Sequence, residues 1–203
     1  MFLIEKTRNV FRRALQEYGP SKVKRRLWNV EFSRGRWDCL NQTQGDCLYP
    51  YIEKHAKGGS ILDLGCGSGN TGSELAADSY QDYTGIDVSD VALDKARKSS
   101  EKSGRADRSQ FHESDILTYA PAQKFDVILF RDSLYYVPRL KLKAMLDRYS
   151  THLKPDGVFI VRMWDAGEKY KWIVDCIVNH FAVVEKQISE QPKSAVIVFR
   201  EKR

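Results

Sequence analysis

The segment SILDLGCGSGNTG, residues 60 to 72, decides the fold of this 203-residue chain. A short apolar run leads directly into a turn that holds four glycines. Because glycine has no Cβ, a glycine-rich turn after a strand lets the backbone approach a ligand closely. The helical pattern that follows, over residues 70–77, completes a strand–turn–helix unit. This unit predicts a nucleotide-like ligand at the end of the strand.

Two kinds of ligand suit such a turn. Read from Gly67, the letters GSGNTG fit the GxGxxG fingerprint of dinucleotide-binding enzymes, and Asp87 follows after about 20 residues, where a ribose-binding acid belongs. Asp63, however, stands inside the predicted strand, where a carboxylate is unfavourable unless a ligand needs its charge. The glycines also alternate right at the strand end, one step earlier than in the dinucleotide frame. These two features argue against a dinucleotide.

From Tyr49 onward, short apolar segments alternate with amphipathic ones. Two strand-like runs close the chain with only a short polar loop between them, which is typical of an antiparallel hairpin. We therefore expect an α/β fold whose parallel sheet ends in a reversed hairpin. The pattern predicts strands at 60–64, 83–87, 110–113, 125–130, 158–163, 181–188 and 194–200, and helices at 70–77, 89–100, 139–153 and 169–180.

Five segments, in chain order, resemble the motifs of class I S-adenosylmethionine-dependent methyltransferases. The resemblance covers about residues 48 to 201 and implies a Rossmann-like, seven-stranded, mostly parallel sheet with an antiparallel C-terminal hairpin and helices on both faces. We expect a methyltransferase domain over residues 46–203, preceded by a basic helical arm over residues 1–45. The motif-like segments are ILDLGCGSGN (61–70), YTGIDVS (83–89), FHESDIL (111–117), FDVILFRDSLYYV (125–137) and LKPDGVFIVRMW (153–164).

The resemblance implies S-adenosyl-L-methionine as the cofactor and assigns residues to its methionyl-ribose part. The backbone at Gly65, Gly67 and Gly69 is expected to lie under this part of the cofactor. Asp63 is expected to favour the amino group, directly or through water. Asp87 is expected to accept hydrogen bonds from both ribose hydroxyls, a task that needs two acceptor oxygens in a fixed orientation.

The resemblance also assigns residues to the adenine and to the reactive methyl group. Val88 is expected to pack on the adenine ring. Asp115 is expected to accept a hydrogen bond from the adenine amino group, and Ile116 to offer backbone and an apolar contact. Phe130 and Arg131, at the end of a strand, are expected to border the methyl group. Asp63, Asp87 and Asp115 also have ordinary structural interpretations, as a loop acceptor, a strand-end cap and a turn residue.

The segment RDSLYY, residues 131–136, bears on the methyl acceptor. It contains neither the Pro-Pro box of enzymes that methylate amino groups of DNA nor the Pro-Cys nucleophile of cytosine methylation, so DNA is not expected as a substrate. The segment resembles small-molecule and sugar enzymes instead. Asp132, Tyr135 and Tyr136 are candidates for removing a proton or orienting the acceptor. Alternatively, Asp132 caps the next helix and one tyrosine packs in the core. No metal site is expected.

The basic charge of the chain is concentrated at its start. Residues 1–36 hold ten Lys and Arg against three acidic residues, whereas the remainder is close to neutral. An amphipathic pattern there predicts a helix that stops at Gly19-Pro20. Arg36 and Trp37 are candidates for contacts to the methionine carboxylate if the arm is a lid; otherwise Trp28 and Trp37 anchor the arm. The basic face suits a lid, an anionic substrate or membrane surface, or RNA.

The composition limits the class of protein. With 42% hydrophobic and 30% charged residues, the chain is typical of soluble globular proteins. No apolar stretch approaches the ~20 residues that cross a bilayer, and no signal peptide is evident, so a cytoplasmic location is expected. The four cysteines lack metal-ligand spacing and are expected to be reduced thiols.

Together these features predict methyl transfer to an oxygen or nitrogen of a small molecule, such as a sugar or an anionic glycan or lipid. The alternative is methylation of RNA or protein that docks through the basic arm. The two hypotheses differ in the expected effect of salt, because binding of a polyanion weakens steeply as salt increases.

Overall fold

The computed structural model of the protein describes residues 2–38, 43, 45–190 and 193–202. Cys39, one of the four expected thiols, lies outside these residues, and Cys47, Cys66 and Cys176 are free. In the described part of the chain, no helix combines the length and the apolar character that a bilayer crossing needs.

Among the described residues, the arm contains two helices and the domain contains five more. The sequence pattern predicts the first arm helix and its end before Gly19-Pro20, but it does not assign the second. The helices are α1 (Phe2–Tyr18), α2 (Ser21–Ser33), α3 (Tyr49–Ala56), α4 (Asn70–Glu74), α5 (Asp90–Lys102), α6 (Arg139–Ser150) and α7 (Lys171–His180), with 3₁₀ turns at Ala106–Arg108 and Leu134–Tyr136.

Seven strands form one sheet in the order β3-β2-β1-β4-β5-β7-β6. Six strands run in one direction, and β7 runs against both of its neighbours. The predicted parallel sheet with a reversed C-terminal hairpin is therefore confirmed. The strands are β1 (Gly59–Leu64), β2 (Tyr80–Asp87), β3 (Ser109–Glu113), β4 (Phe125–Arg131), β5 (Leu153–Met163), β6 (Ala182–Glu190) and β7 (Lys193–Arg200).

Side chains alternate between the two faces of the sheet and form a core on each face. On one face, Leu62 and Leu64 of β1 belong to a large cluster with residues of α6 and α7. On the other face, Ile61 packs in a second cluster with residues of α3. Asp63 is fully buried in the same strand. The sheet is thus covered on both faces, and Asp63 is a charged group inside an apolar strand.

The strand order places a crevice next to β1. Strand β1 lies between β2 and β4. The strands that follow β1 are added first on one side of it (β2, β3) and then on the other (β4, β5), so the strand order reverses at β1. In open α/β sheets, ligands bind outside the carboxyl ends of the strands at such a switch point. The glycine-rich turn follows β1, Asp87 ends β2, and Arg131 ends β4, so all three meet at this crevice.

Gly69 is the residue through which the turn packs against α5. Its φ is +75°, a backbone conformation that favours glycine. A Cβ built at this position would lie 2.8 Å from the Cβ of Ala96. Ser89 starts α5 as predicted, because its Oγ accepts a hydrogen bond from the Ala92 N–H at 3.1 Å. The absence of a side chain at Gly69 therefore sets the distance between the turn and α5.

We predict that Gly69→Ala lowers the free energy of unfolding by about 2–4 kcal/mol, because strain at positive φ adds to the cost of overpacking against Ala96. Gly104→Ala is the matched control: Gly104 also has positive φ (+69°), but a Cβ there would meet nothing within 4 Å. Urea denaturation of both variants measures the difference. Equal losses in the two variants would show that contact with Ala96 contributes nothing.

Candidate functional site

A cavity of about 1050 Å³, including the space at its open mouth, lies at the switch point. Its floor comes from the carboxyl ends of the strands and its roof from the arm, a position typical of ligand sites in this architecture. The lining residues are Gln16, Lys24, Trp28, Phe32 and Trp37 from the arm, and Asp63, Gly65, Cys66, Gly67, Ser68, Asn70, Thr71, Asp87, Val88, Ser114, Asp115, Ile116, Arg131, Asp132, Ser133 and Tyr136 from the domain.

The glycine turn forms part of the floor of the cavity. Gly65 has a φ of +87°, and a Cβ there would lie 2.6 Å from the Cβ of Ser133. Gly67 has a φ of +54°, and a Cβ there would point toward the ring of Phe32, 3.5 Å away across the cavity. Gly65 therefore allows the end of β4 to approach β1, whereas Gly67 keeps the space beneath the arm open.

Asp87 is held in one orientation by backbone donors. Its Oδ2 accepts a hydrogen bond from the Gly67 N–H at 3.0 Å, and its Oδ1 accepts one from the Ser89 N–H at 2.9 Å. Burial raises the pKa of the Asp87 carboxyl to about 6, although these hydrogen bonds oppose the shift. Each carboxylate oxygen can accept a further hydrogen bond, so the group is suited to bind a diol.

Asp63 is buried with only one of its oxygens satisfied. Its Oδ2 accepts a hydrogen bond from the Tyr83 hydroxyl at 2.6 Å, whereas Oδ1 has no partner. Burial raises the pKa of the Asp63 carboxyl to about 6, because desolvation disfavours the charged form. An unpaired carboxylate oxygen at a cavity wall is suited to bind a cationic group.

Unsatisfied polar atoms are concentrated at this cavity. Among the described residues, five buried side-chain atoms have no hydrogen-bond partner, and four of the five residues line the cavity: Asp63 (Oδ1), Trp37 (Nε1), Asn70 (Nδ2) and Ser133 (Oγ). Each such atom costs the fold about 1–3 kcal/mol. The cost is recovered when a ligand supplies the missing partners, so this pattern indicates a polar ligand.

The arm is fastened over the cavity by a buried ion pair. Lys24 Nζ lies 3.0 Å from Asp115 Oδ2, and both side chains are only 7% exposed. Asp115 also accepts hydrogen bonds from the Ser21 hydroxyl at 3.2 Å and the Leu117 N–H at 2.9 Å. Outside the cavity, Arg25 pairs with carboxylates of β3 and α5 at 2.9 and 3.1 Å. The arm is therefore joined to the domain chiefly by electrostatic contacts on this side.

Charged groups also meet at the carboxyl ends of β4 and β5. Arg131 pairs with Asp46 at 2.6 Å, and the Asp132 carboxylate pairs with Arg162 and accepts a hydrogen bond from the Trp164 N–H at 2.6 Å. Asp132 has a φ of +54°, which is uncommon for a residue other than glycine, although Asp adopts it more readily than most. The Asp132 side chain is thus fixed at the cavity wall despite backbone strain.

The two neighbouring tyrosines have different surroundings. Tyr136 lines the cavity, packs edge-on against Trp28 with 4.6 Å between ring centroids, and lies 4.0 Å from the Arg13 guanidinium. The Tyr135 hydroxyl accepts a hydrogen bond from the Asp165 N–H at 2.8 Å and lies 3.3 Å from Asp132. Burial raises the pKa of both tyrosines, so both stay protonated at neutral pH.

The structure brings most of the predicted site residues to the cavity and leaves four outside its lining. Arg36 pairs with Glu31 at 3.1 Å and is more than half exposed. Gly69 packs on α5. Phe130 lies in the core between Tyr149 and Phe159. The Tyr135 hydroxyl contacts Asp132 on the side away from the cavity lining. The predicted residues that do line it are Trp37, Asp63, Gly65, Gly67, Asp87, Val88, Asp115, Ile116, Arg131, Asp132 and Tyr136.

Several lining residues were not assigned from the sequence. Lys24 and Phe32, with Trp28 between them, recur at a spacing of four in α2 and form one stripe facing the cavity. This helical spacing could have been recognised as a binding stripe. Ser133 and Gln16 carry no such signal, because their position depends on contacts between segments that are distant in the chain.

The cavity fits S-adenosyl-L-methionine in its donors and acceptors. Asp63 Oδ1 offers an acceptor for an ammonium group, and Trp37 Nε1 and Asn70 Nδ2 offer donors for a carboxylate. Asp87 stands at the strand end where a ribose diol is bound in this architecture, and Val88 supplies an apolar wall beside it.

Comparison with known proteins is consistent with this fit. The ubiquinone biosynthesis O-methyltransferase of Actinobacillus pleuropneumoniae is 38% identical over 115 residues, which are 53% of this chain and 48% of that protein. The trans-aconitate 2-methyltransferase of Agrobacterium fabrum is 36% identical over 105 residues, 51% of this chain and 38% of that protein. The chain spans about half the length of these curated relatives or less.

Solved structures share the fold. The N-methyltransferase NodS of Bradyrhizobium japonicum, in complex with S-adenosyl-L-homocysteine, has a TM-score of 0.61 at 20% identity and covers 85% of this chain and 88% of its own. The sequence model of a family described as "Methyltransferase domain" matches residues 55–196, well over half of the chain. The protein therefore belongs to this methyltransferase family, as the resemblance of its motifs predicted.

Proposed function

We propose that this protein is an S-adenosylmethionine-dependent methyltransferase that acts on an oxygen or nitrogen of a small molecule. One observation carries the proposal: Asp63, Trp37 and Asn70, each with a buried polar atom that lacks a partner, line one cavity together with the fixed carboxylate of Asp87. They complement the ammonium, carboxylate and diol groups that S-adenosylmethionine carries.

The residues that would hold the cofactor follow from this complementarity. Asp87 binds the ribose hydroxyls, Asp63 binds the amino group, and Trp37 with Asn70 binds the carboxylate. When bound, the cofactor supplies a methyl group already activated on a sulfonium sulfur, so the protein has to position the acceptor and exclude water. Trp28 and Phe32 of the arm close the cavity from above and supply that exclusion.

The acceptor would lie beside Asp132, Ser133 and Tyr136. Ser133 offers a buried, unpaired hydroxyl, and protonated Tyr136 offers a donor and an aromatic surface. Arg162 and the Trp164 N–H hold the Asp132 carboxylate in place, which suits it to orient the acceptor or to receive its proton. Tyr135 acts through Asp132 and is a positioning residue in this proposal.

The arm, residues 1–45, is proposed to be a lid. Lys24 occupies Asp115, the residue expected to accept a hydrogen bond from the adenine amino group. A ligand in the adenine position therefore has to share Asp115 with Lys24 or displace it. Among the proposed acceptors, an anionic glycan or lipid agrees with the basic charge of the arm, whereas a sugar would be bound without it. RNA or protein docked through the arm is the alternative.

The function is tested by methyl transfer from labelled S-adenosylmethionine to metabolite, lipid, RNA and protein fractions of a source-cell extract. We expect label in the metabolite or lipid fraction. Asp87→Asn is expected to abolish it and to weaken cofactor binding by about a hundredfold, because one of the two acceptor oxygens is replaced by a donor and the remaining hydrogen bond loses its charge. Asp94→Asn, an exposed carboxylate on α5, is the matched control and keeps both activities. Label in RNA or protein alone would contradict a small acceptor.

We predict that cofactor affinity falls as pH decreases from 7 to 5. In the free protein the pKa values of the Asp63 and Asp87 carboxyls are about 6, so each takes up a proton over this interval. Binding requires the carboxylate forms, and affinity is therefore expected to drop by roughly tenfold per group at pH 5. Titration calorimetry with S-adenosylhomocysteine measures the effect. In Asp63→Asn the pH dependence should shrink to that of one group, and an unchanged profile would refute the assignment.

We predict that Trp37→Phe weakens cofactor binding by about five- to tenfold, the value of one hydrogen bond, because it removes the unpaired indole donor and keeps an aromatic ring. Trp172→Phe is the matched control, since Trp172 packs near Arg139, away from the cavity. Equal affinities of the two variants would show that the Trp37 donor is not used by the ligand.

A further inference from the structure

The first helix of the arm has its apolar side on the outside. Val10, Phe11 and Tyr18 are each about two thirds exposed (66–67%), and Ala14 between them is exposed as well. At 100° per residue these four positions fall within one sector about 100° wide. Part of α1 therefore presents a continuous apolar surface to solvent, and no described residue covers it.

The opposite side of α1 is polar and faces the protein. Arg12 pairs with Glu31 at 2.5 Å, and Arg13 donates to the Tyr135 carbonyl at 2.9 Å. Gln16 is buried at the cavity wall. An ordinary surface helix has the reverse arrangement, with its apolar stripe toward the core. The exposed apolar surface consequently has no role in the folding of the domain and indicates an interaction site.

The neighbouring helix adds positive charge to this surface. Lys22 and Arg26 on α2 and Arg34 directly after it are exposed and form no ion pair with any described residue, and Val30 of α2 is 42% exposed. The two helices pack against each other, so the exposed residues of both belong to one arm. We call the combined surface of Val10, Phe11, Ala14, Tyr18, Lys22, Arg26, Val30 and Arg34 the outer face of the arm.

We propose that the outer face of the arm docks on an anionic lipid membrane. A helix binds at the membrane–water interface through exposed apolar side chains flanked by Lys and Arg. Acyl chains of the lipid cover the apolar groups, and anionic headgroups pair with the cations. A second copy of the chain is a poorer occupant. Residues 1–36 carry ten basic and three acidic residues, so a symmetric contact would bring like charges together.

Docking would hold the cavity close to the lipid surface, because the same two helices roof it through Gln16, Lys24 and Trp28. If the proposed function is correct, the acceptor is then a molecule that partitions into or onto membranes. This last step rests on the proposed function, whereas membrane docking itself does not. The two can be tested apart, since vesicle binding needs neither cofactor nor turnover.

The test is flotation of the full chain with phosphatidylglycerol–phosphatidylcholine vesicles and with pure phosphatidylcholine vesicles. We expect binding to the mixed vesicles that is roughly a hundredfold tighter than to pure phosphatidylcholine at low salt and is weakened by high salt. Phe11→Glu is expected to weaken binding by at least about tenfold, because it places a charge on the apolar face. Val178→Glu, which changes an exposed apolar residue of α7 by the same charge, is the matched control.

Each variant is also checked for binding of S-adenosylhomocysteine, which Phe11→Glu should leave unchanged because Phe11 is outside the cavity. Equal binding to both kinds of vesicle, no binding to either, or equal losses in Phe11→Glu and Val178→Glu would overturn the proposal. A dimer of the wild-type chain that Phe11→Glu dissociates would overturn it as well and would assign the face to a second copy. Failure of the wild-type chain to bind S-adenosylhomocysteine would instead contradict the proposed function.

Discussion

The burial of two carboxyl groups at the ends of β1 and β2 is the constraint on which the site depends. Asp63 and Asp87 lie in low-dielectric surroundings that raise both pKa values to about 6, so keeping them charged at neutral pH costs folding free energy. The glycine turn helps to make the burial of Asp87 feasible, since the Gly67 N–H donates a hydrogen bond to its carboxylate, and the missing side chain at Gly67 keeps the gap to Phe32 free for a ligand. A cationic, diol-bearing ligand repays this cost, and a protein without one would gain stability by replacing both residues.

The same electrostatic logic explains how the arm is attached. Lys24 reaches Asp115 from above, and almost no solvent reaches either group. Breaking such a pair without a replacement partner leaves a buried charge, which is costly, whereas a ligand donor at Asp115 provides that replacement. The ion pair therefore keeps the cavity roofed until a ligand competes for Asp115. In the proposed function, a cofactor bound at Asp115 has to displace or accommodate Lys24, the cation that closes the roof.

The sequence predicted the strands and the polar residues at their ends because both are local signals. Asp63 and Asp87 stand out since they interrupt apolar runs, and the hairpin follows from two adjacent strand patterns. What the sequence could not provide are contacts between distant segments. The approach of Ser133 to Gly65, the pairing of Arg36 with Glu31 and the position of Phe130 in the core all depend on tertiary packing. Strand β5 also begins at Leu153 instead of Val158, because Leu153 pairs with Phe125 of β4.

The basic charge of the arm did not by itself identify the partner of the arm. From the sequence, its ten basic residues suited a lid first, an anionic substrate or membrane surface second, and RNA third. The structure divides the basic residues of the arm into two groups. Arg12, Arg13 and Lys24 face the protein and bind groups there. Lys22, Arg26 and Arg34 are exposed to solvent, as are apolar side chains of the arm. RNA binding would require a continuous cationic track along the nucleic-acid backbone, whereas Val30 lies between the outward cations Lys22, Arg26 and Arg34. The outer face of the arm has aliphatic and aromatic side chains along one side of a helix and cations nearby. This arrangement matches a lipid surface better than it matches RNA. In our proposals, the inward cations hold the arm on the domain and the outward cations bind the membrane.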